Sequence, residues 1–311
     1  MDTFKDIVKQ TEHAVKTLGT RWLKDAWKNE REISQVLGML SDAESRDVYS
    51  REIMWCFLST FLKGQLAAAM AGMMTQARWQ SSIVETLQKN IHPEIEAPES
   101  AIGTLNYSKT ATFTLGQYRY GDKVMPVAGD VCLDLGACLG DTSIWMVEQG
   151  AAAVHAFEID PLNREFLART LAKKREYGRI QVVPRAVTKT SGELYLVPND
   201  YNPGASHISR QKPASGRYST IAATSLDDWC REQGIRPDFI KMDIEGAELD
   251  AINGAEAVFT RFRPRFAICI YHTPEHRWQI PLRLAQLCPD YDFYVKKSHP
   301  VFETVLYGRP R

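Results

Sequence analysis

Gly136 and Gly140 punctuate the stretch Val131-Cys132-Leu133-Asp134-Leu135-Gly136-Ala137-Cys138-Leu139-Gly140-Asp141-Thr142, where an apolar run enters a turn and a helix begins. Glycine admits positive φ and lets a ligand approach the backbone closely. This turn, with Ala137, Asp141 and Thr142, is therefore where a nucleotide-like ligand would be held. Asp134 stands two residues before Gly136, where a carboxylate can meet the amino-acid end of a zwitterionic cofactor. Glu158 follows 24 residues after Asp134, in Ala156-Phe157-Glu158-Ile159-Asp160-Pro161. An acid at the end of a second strand can accept hydrogen bonds from ribose hydroxyls, and Asp160 joins it as a candidate contact. Two glycines alone would do no more than shape a tight turn; the acid at this distance is what favours a ligand.

Dinucleotide dehydrogenases and methyltransferases that use S-adenosylmethionine share this combination. A dehydrogenase turn would show Gly-x-Gly-x-x-Gly, but Cys138 occupies the middle-glycine position and leaves less room for a pyrophosphate. The Asp134 placement also favours the zwitterionic cofactor.

A second group of candidates lies further on. Asp243, Glu245 and Glu248 crowd the end of a strand and the start of its helix. Side chains alternate along a strand, so Asp243 and Glu245 can share a face. The helix macrodipole favours acids there, which is account enough for Glu248. Asp243 can orient an acceptor hydroxyl, hold a cofactor ammonium, or bind a divalent ion through oxygen. His272 closes one strand and His299 follows another, and imidazole can take a proton near neutral pH. Within the polar loop Asn199–Arg217, the run from Asn199 to Arg210 is too long and polar for a mere connector, so it reads as a substrate-facing flap with Ser206 and His207 as contacts.

These residues must be positioned by a sheet. Up to about Asn90 the chain reads as successive helices, with Ser41-Asp42-Ala43-Glu44 resembling a capping box and Gln65 to Ala71 helix-favouring. His13 there reads as a solvated helix residue. His92 to Glu99, with two prolines and three acids, breaks the pattern and reads as a linker. The resulting division is a helical region, residues 1–100, and a second domain, residues 101–311. Beyond the break, short β-rich runs alternate with helical stretches, the signature of an α/β protein with a parallel sheet. Strands are expected over Asp130–Leu135, Val154–Ile159, Ile180–Val187, Glu193–Val197, Phe239–Ile244 and Phe266–Tyr271. A closing hairpin is expected from Tyr291–Lys296 and Glu303–Tyr307. The intervening helices are Gly140–Gln149, Pro161–Tyr177, Thr224–Gln233, Glu248–Phe259 and Trp278–Leu287, with Thr224-Ser225-Leu226-Asp227-Asp228 as a cap carrying acids in the first turn.

Composition narrows the class. The 311 residues can bury a sizeable core, and 38 Lys+Arg balance 38 Asp+Glu, which argues against a long nucleic-acid footprint. Residues 1–100 carry 12 basic and 14 acidic side chains, so no nucleic-acid arm is expected there. That region could instead form a homo-oligomer, cap the site or dock a partner. The six cysteines form no CxxC pair and no cluster with zinc spacing, which reads as a reducing, cytoplasmic setting. The first residues have no basic-then-apolar leader, and no apolar run is long enough for a membrane span.

The pieces together resemble the FkbM family of S-adenosylmethionine-dependent methyltransferases. The likeness runs through Leu133 to Thr142, Ala156-Phe157-Glu158, Thr224 to Asp228, Asp238 to Glu248 and Glu303 to Tyr307, and covers about Asp130 to Pro310. It implies a class I, Rossmann-like fold with a seven-stranded, mostly parallel sheet whose last strand is antiparallel. It also implies S-adenosylmethionine as cofactor and O-methylation of a sugar, glycan or polyketide-type hydroxyl. Alignment of nucleophile, carbon and sulfur would supply much of the rate, and a placed base the remainder. Candidates for that base are His272, Asp243 and His299. The rival readings are an NAD-linked oxidoreductase and a non-catalytic binding module that keeps the cofactor fold.

Overall fold

The computed structural model describes residues 28–58, 76–197, 207–214, 216–299 and 303–311. Ser206, His13 and the helix-favouring run 65–71 lie outside the described residues. Near the N-terminus come α1 (Glu30–Met39), α2 (Ala43–Leu58) and α3 (Gln76–Gln88), then α4 (Ile102–Lys109), which runs into a π-turn. The alternating region begins with β1 (Val131–Leu135), α5 (Asp141–Glu148), β2 (Ala153–Phe157), α6 (Pro161–Leu171) and β3 (Ile180–Val183). Four strands follow: β4 (Ala186–Val187), β5 (Gly192–Val197), β6 (His207–Ser209) and β7 (Ser219–Thr224). The chain continues through α7 (Leu226–Gln233), β8 (Phe239–Met242), α8 (Glu248–Asn253) and β9 (Arg265–Cys269). It ends with α9 (His276–Leu287), β10 (Tyr291–Lys297) and β11 (Thr304–Pro310).

Seven strands form the main sheet in the order β10-β11-β9-β8-β1-β2-β3, parallel except for β11, which runs antiparallel to both neighbours. This is the α/β, class I methyltransferase architecture expected. The central strands are apolar almost throughout because helices cover both faces. β1 pairs with β2 on one side and β8 on the other, so the strand order reverses there. The crevice at the carboxyl ends beside that reversal is the standard ligand position of open α/β sheets.

Local chemistry explains most boundaries. Asp160 caps α6 by accepting from the backbone N–H groups of Leu162 (2.8 Å) and Asn163 (3.2 Å), with Pro161 in the first turn. Ser225 caps α7 by accepting from Asp228 N–H at 3.0 Å.

Several expectations need correction. The anticipated third strand is split: Pro184, which has no N–H to donate, separates β3 in the main sheet from β4 in a second, four-stranded sheet. That sheet, ordered β4-β7-β5-β6, takes up β7 and part of the presumed flap as β6. The helix expected over Glu248–Phe259 is interrupted after Asn253 at Gly254, where a Cβ would come within 2.4 Å of Thr188 O, and the chain turns helical again into a π-helical segment, Val258–Phe262. Asp42, not Ser41, accepts the capping bond from Ser45 N–H at 2.8 Å. Ser41 Oγ instead accepts from Phe293 N–H at 2.9 Å.

The described N-terminal helices pack on the sheet layer. Ile33, Val36, Leu40 and Tyr49 share one core with Phe266, Trp278 and Phe293. Glu52 of α2 is fully buried, where Arg277 (2.8 Å) and Lys297 (2.7 Å) meet its carboxylate. None of the six cysteines is in a disulfide, and five of them are buried. Among the described residues no helix is long and apolar enough to cross a membrane.

Candidate active site

A cavity of about 890 Å³ opens at the carboxyl ends of β1, β2, β8 and β9. Its floor is the turn after β1. Gly136 adopts φ of 81°, and Cys138, despite its side chain, adopts 48°. The turn is tied to β2 by Gly136 N–H and Ala137 N–H, which both donate to Phe157 O. Gly136 also lies against β8, since a Cβ there would fall 1.9 Å from Asp243 O.

Glu158 closes β2 beside this turn. One carboxylate oxygen accepts from Cys138 N–H at 2.8 Å, the other from Asp160 N–H at 2.7 Å. Burial raises the carboxyl to about 7 against these bonds. Nearby, Asn163 also belongs to the cavity wall, with its Oδ1 buried behind the surface and without a hydrogen-bond partner.

At the other end stands an acid–histidine chain. Glu248 is fully buried and accepts from Ile244 N–H at 2.9 Å; its carboxylate lies 2.8 Å from His272 Nδ1 and 3.3 Å from His276 Nδ1. His272 Nε2 in turn lies 3.3 Å from Asp243 Oδ1, and Tyr118 OH donates to Asp243 Oδ2 at 2.8 Å. Burial opposes charge on His272, but the flanking Asp243 and Glu248 carboxylates prevail and raise it to about 11. Burial likewise disfavours ionised Asp243, yet contact with His272 holds its carboxyl well below the usual range.

The cavity wall includes Gly136, Asp141, Thr142, Glu158, Asp160, Asp243, Glu245 and His272 from the sequence-derived set. The side chain of His207 lies outside the described residues, although its neighbours Ile208 and Arg210 reach the wall. Ala137 and Gly140 do not line it; Gly140 adopts φ of 91°, which favours glycine, and a Cβ there would also press on Leu167 Cδ1 at 2.3 Å.

Three roles anticipated from sequence change. Asp134 does not reach the cavity: it is fully buried, 3.2 Å from Lys241 Nζ, and accepts from the Thr142 and Ser143 hydroxyls at 2.6 Å each. His299 also stands off the wall, packed edge-on to Trp79 at 4.6 Å, with burial lowering it to about 4. His272 does line the cavity, but a proton acceptor must start neutral, and its two carboxylates hold it charged.

Other wall residues carried no sequence signal for chemistry. Tyr107, Tyr118 and Tyr271 line the cavity with Lys241 and Glu303. Lys241 and Glu303 fall inside the motif blocks quoted above, but nothing in their spacing pointed to a role. Asp243, Glu248 and His272, or Asp243, Cys269 and Glu303, are close enough to surround an ion. The carboxylates of these groups also accept from protein donors, Tyr118 OH on Asp243, Ile244 N–H on Glu248 and Tyr107 OH on Glu303, and we assign no metal ligand.

Residues 134–296, just over half of the chain, match the model of the FkbM methyltransferase domain. The chain belongs to the FkbM methyltransferase family. The 2-O-methyltransferase NoeI of Sinorhizobium fredii is 28% identical over 198 residues, 57% of this chain and 78% of that relative. A solved structure of the methyltransferase FkbM from Methylobacillus flagellatus KT superposes with a TM-score of 0.59 at 20% identity. That superposition covers 92% of this chain, and the chain spans 60% of the length of that protein.

Proposed function

We propose that this FkbM methyltransferase uses S-adenosylmethionine to methylate a hydroxyl of a sugar, glycan or related natural product. The observation that carries the reading is the single cavity joining Glu158 at the β2 end to Asp243 and His272 on the β8 and β9 rim. Its volume lies within the range of ligand sites, and one wall carries groups suited to a nucleoside. Glu158 would accept from ribose hydroxyls, and Val187, Leu194 and Ile208 offer apolar surface to a base. The residues therefore fit the cofactor, which when bound supplies an electrophilic methyl group on a sulfonium.

The remaining work belongs to the chain. Asp243, anionic and fixed by Tyr118 and His272, orients the acceptor hydroxyl. His272, held as a cation, keeps Asp243 in place rather than taking a proton. Tyr107, Tyr118 and Tyr271 supply aromatic faces and hydroxyls where the acceptor would sit, which suits a polyhydroxylated ring with apolar faces. Six unbridged thiols support a reducing, cytoplasmic setting.

Calorimetric titration with S-adenosylhomocysteine and with NAD tests the cofactor. Incubation with S-adenosylmethionine and glycan or metabolite pools, read by mass spectrometry as a gain of one CH2, tests the reaction. Saturable binding of the thioether and a methylated hydroxyl are expected. Binding of NAD in its place, or methylation on nitrogen or carbon alone, would overturn the reading.

A further inference from the structure

We propose that Glu303 takes the proton from the acceptor hydroxyl, an inference that rests on methyl transfer to oxygen as read above. Glu303 immediately precedes β11, lines the cavity, and is 6% exposed. Its Oε1 accepts from Tyr107 OH at 2.9 Å and Tyr271 OH at 3.2 Å, and its Oε2 accepts from Gln117 Nε2. A carboxylate offers about four acceptor positions, so these bonds leave one, on Oε2. Three donors from separate segments thus fix the side chain while leaving it one further proton to accept.

The neighbouring acid cannot do the same. Asp243 and Glu303 bring carboxylate oxygens within 4.8 Å of each other. Two carboxylates that close in a buried site do not ionise equally, and the one with a cation keeps its charge. Asp243 has that cation in His272, whereas the donors reaching Glu303 are two phenols and an amide. The same network joins them: Gln117 Nε2 also donates to Tyr118 OH at 3.0 Å, and Tyr118 OH donates to Asp243. Facing Glu303 are Asp243 from the β8 end, Cys269 and Tyr271 from the β9 end, Tyr107 from α4, Tyr118 from the segment after it and Tyr307 from β11, with His272 beyond Asp243. Burial, then the Asp243 charge, raise Glu303 to about 7, where a base is both available and effective at neutral pH. The backbone agrees with a fixed role, since Glu303 adopts φ of 61°, a region that non-glycine residues seldom enter.

The step balances. A lone pair of the hydroxyl oxygen forms the new bond to the methyl carbon while the carbon–sulfur pair leaves with sulfur as a thioether. The hydroxyl proton passes to Glu303 Oε2, and its bonding pair stays on the ether oxygen. Glu303 ends neutral and returns its proton to solvent.

The test uses the full chain with the acceptor identified by mass spectrometry. Wild-type kcat should rise with pH through about 7, following ionisation of Glu303. Glu303→Gln should lower kcat by about 100- to 10,000-fold and remove that rise, with S-adenosylhomocysteine affinity and Tm near wild type. Glu303→Asp, whose shorter side chain tolerates positive φ, should restore part of kcat together with a pH-dependent limb. Infrared difference spectra across neutral pH should show a protonated carboxyl band that titrates in wild type and is missing from Glu303→Gln. Wild-type turnover with a Glu303→Gln variant that keeps its kcat or its pH limb overturns the proposal alone. A wild type that methylates no hydroxyl overturns the function reading, and this proposal with it.

Discussion

The carbonyl oxygen of Asp243 fills the space where a side chain on Gly136 would begin, 1.9 Å from an ideal Cβ. The glycine turn of β1 and the acidic rim of β8 are thus one packed unit, reinforced where Asp243 N–H donates to Leu135 O at 3.0 Å and Lys241 Nζ donates to Gly136 O at 2.6 Å. Gly136→Ala must therefore displace backbone as well as adopt an unfavourable φ. Such strain costs about 1–3 kcal/mol. We expect a lowered Tm by differential scanning calorimetry and weakened S-adenosylhomocysteine binding. A variant with native stability and affinity would show that the two segments can separate freely.

Glu158 is expected to hold the cofactor's ribose. Glu158→Gln keeps the size but loses the charge, and a hydrogen bond to a charged group contributes about 1.5–3 kcal/mol. Affinity for S-adenosylhomocysteine should fall by about 10- to 150-fold by calorimetry. Because burial raises the carboxyl to about 7, wild-type affinity should strengthen as pH rises through neutrality, and the variant should lose that dependence. An unchanged dissociation constant would remove Glu158 from the cofactor site.

His272 binds its proton more tightly in the fold than in the unfolded chain, about 11 against 6.5. The folded-state value is the raised one, so its contribution to stability is fully present below about 6.5 and is lost as pH climbs toward about 11. The part of the decline that belongs to His272, read by urea unfolding as the difference between wild type and a variant without it, should be no more than about 1.4 kcal/mol per pH unit over that window. His272→Ala, which strips the cation from Asp243 and Glu248, should start lower and show a flatter decline. Equal slopes in the two proteins would mean that His272 is neutral in the fold.

Legibility from sequence followed how local each interaction is. The turn after β1, the acid ending β2 and the Pro161 start of α6 each depend on residues a few positions apart, so their types and spacing announce them. Asp134 misleads for the opposite reason. Its carboxylate type suits a ligand, but β8 lies next to β1 and sets Lys241 in register with it, 107 positions along the chain. The lysine consumes the charge. Glu303 and its tyrosines leave no pattern at all: Tyr107 and Glu303 are 196 residues apart. They meet only because β11 inserts antiparallel between β9 and β10. The split of the third strand turned on one residue, Pro184, whose missing N–H weighs more than the β-favouring run around it.

Glu52 carries the last prediction, because it ties α2 to both α9 and β10. Its fully buried carboxylate meets Arg277 and Lys297, and those charges overcome the burial that would otherwise raise it, lowering it to about 2. Removing one partner from such a cluster leaves uncompensated buried charge, which costs about 3–5 kcal/mol. Glu52→Gln should show that loss by urea unfolding at neutral pH. The folded-state value lies below the ordinary 4.5, so the stabilisation is present above about 4.5 and disappears as pH falls toward about 2. The gap between wild type and Glu52→Gln should therefore narrow with acid. A gap that persists at low pH would mean that the loss in the variant does not come from the charge of Glu52.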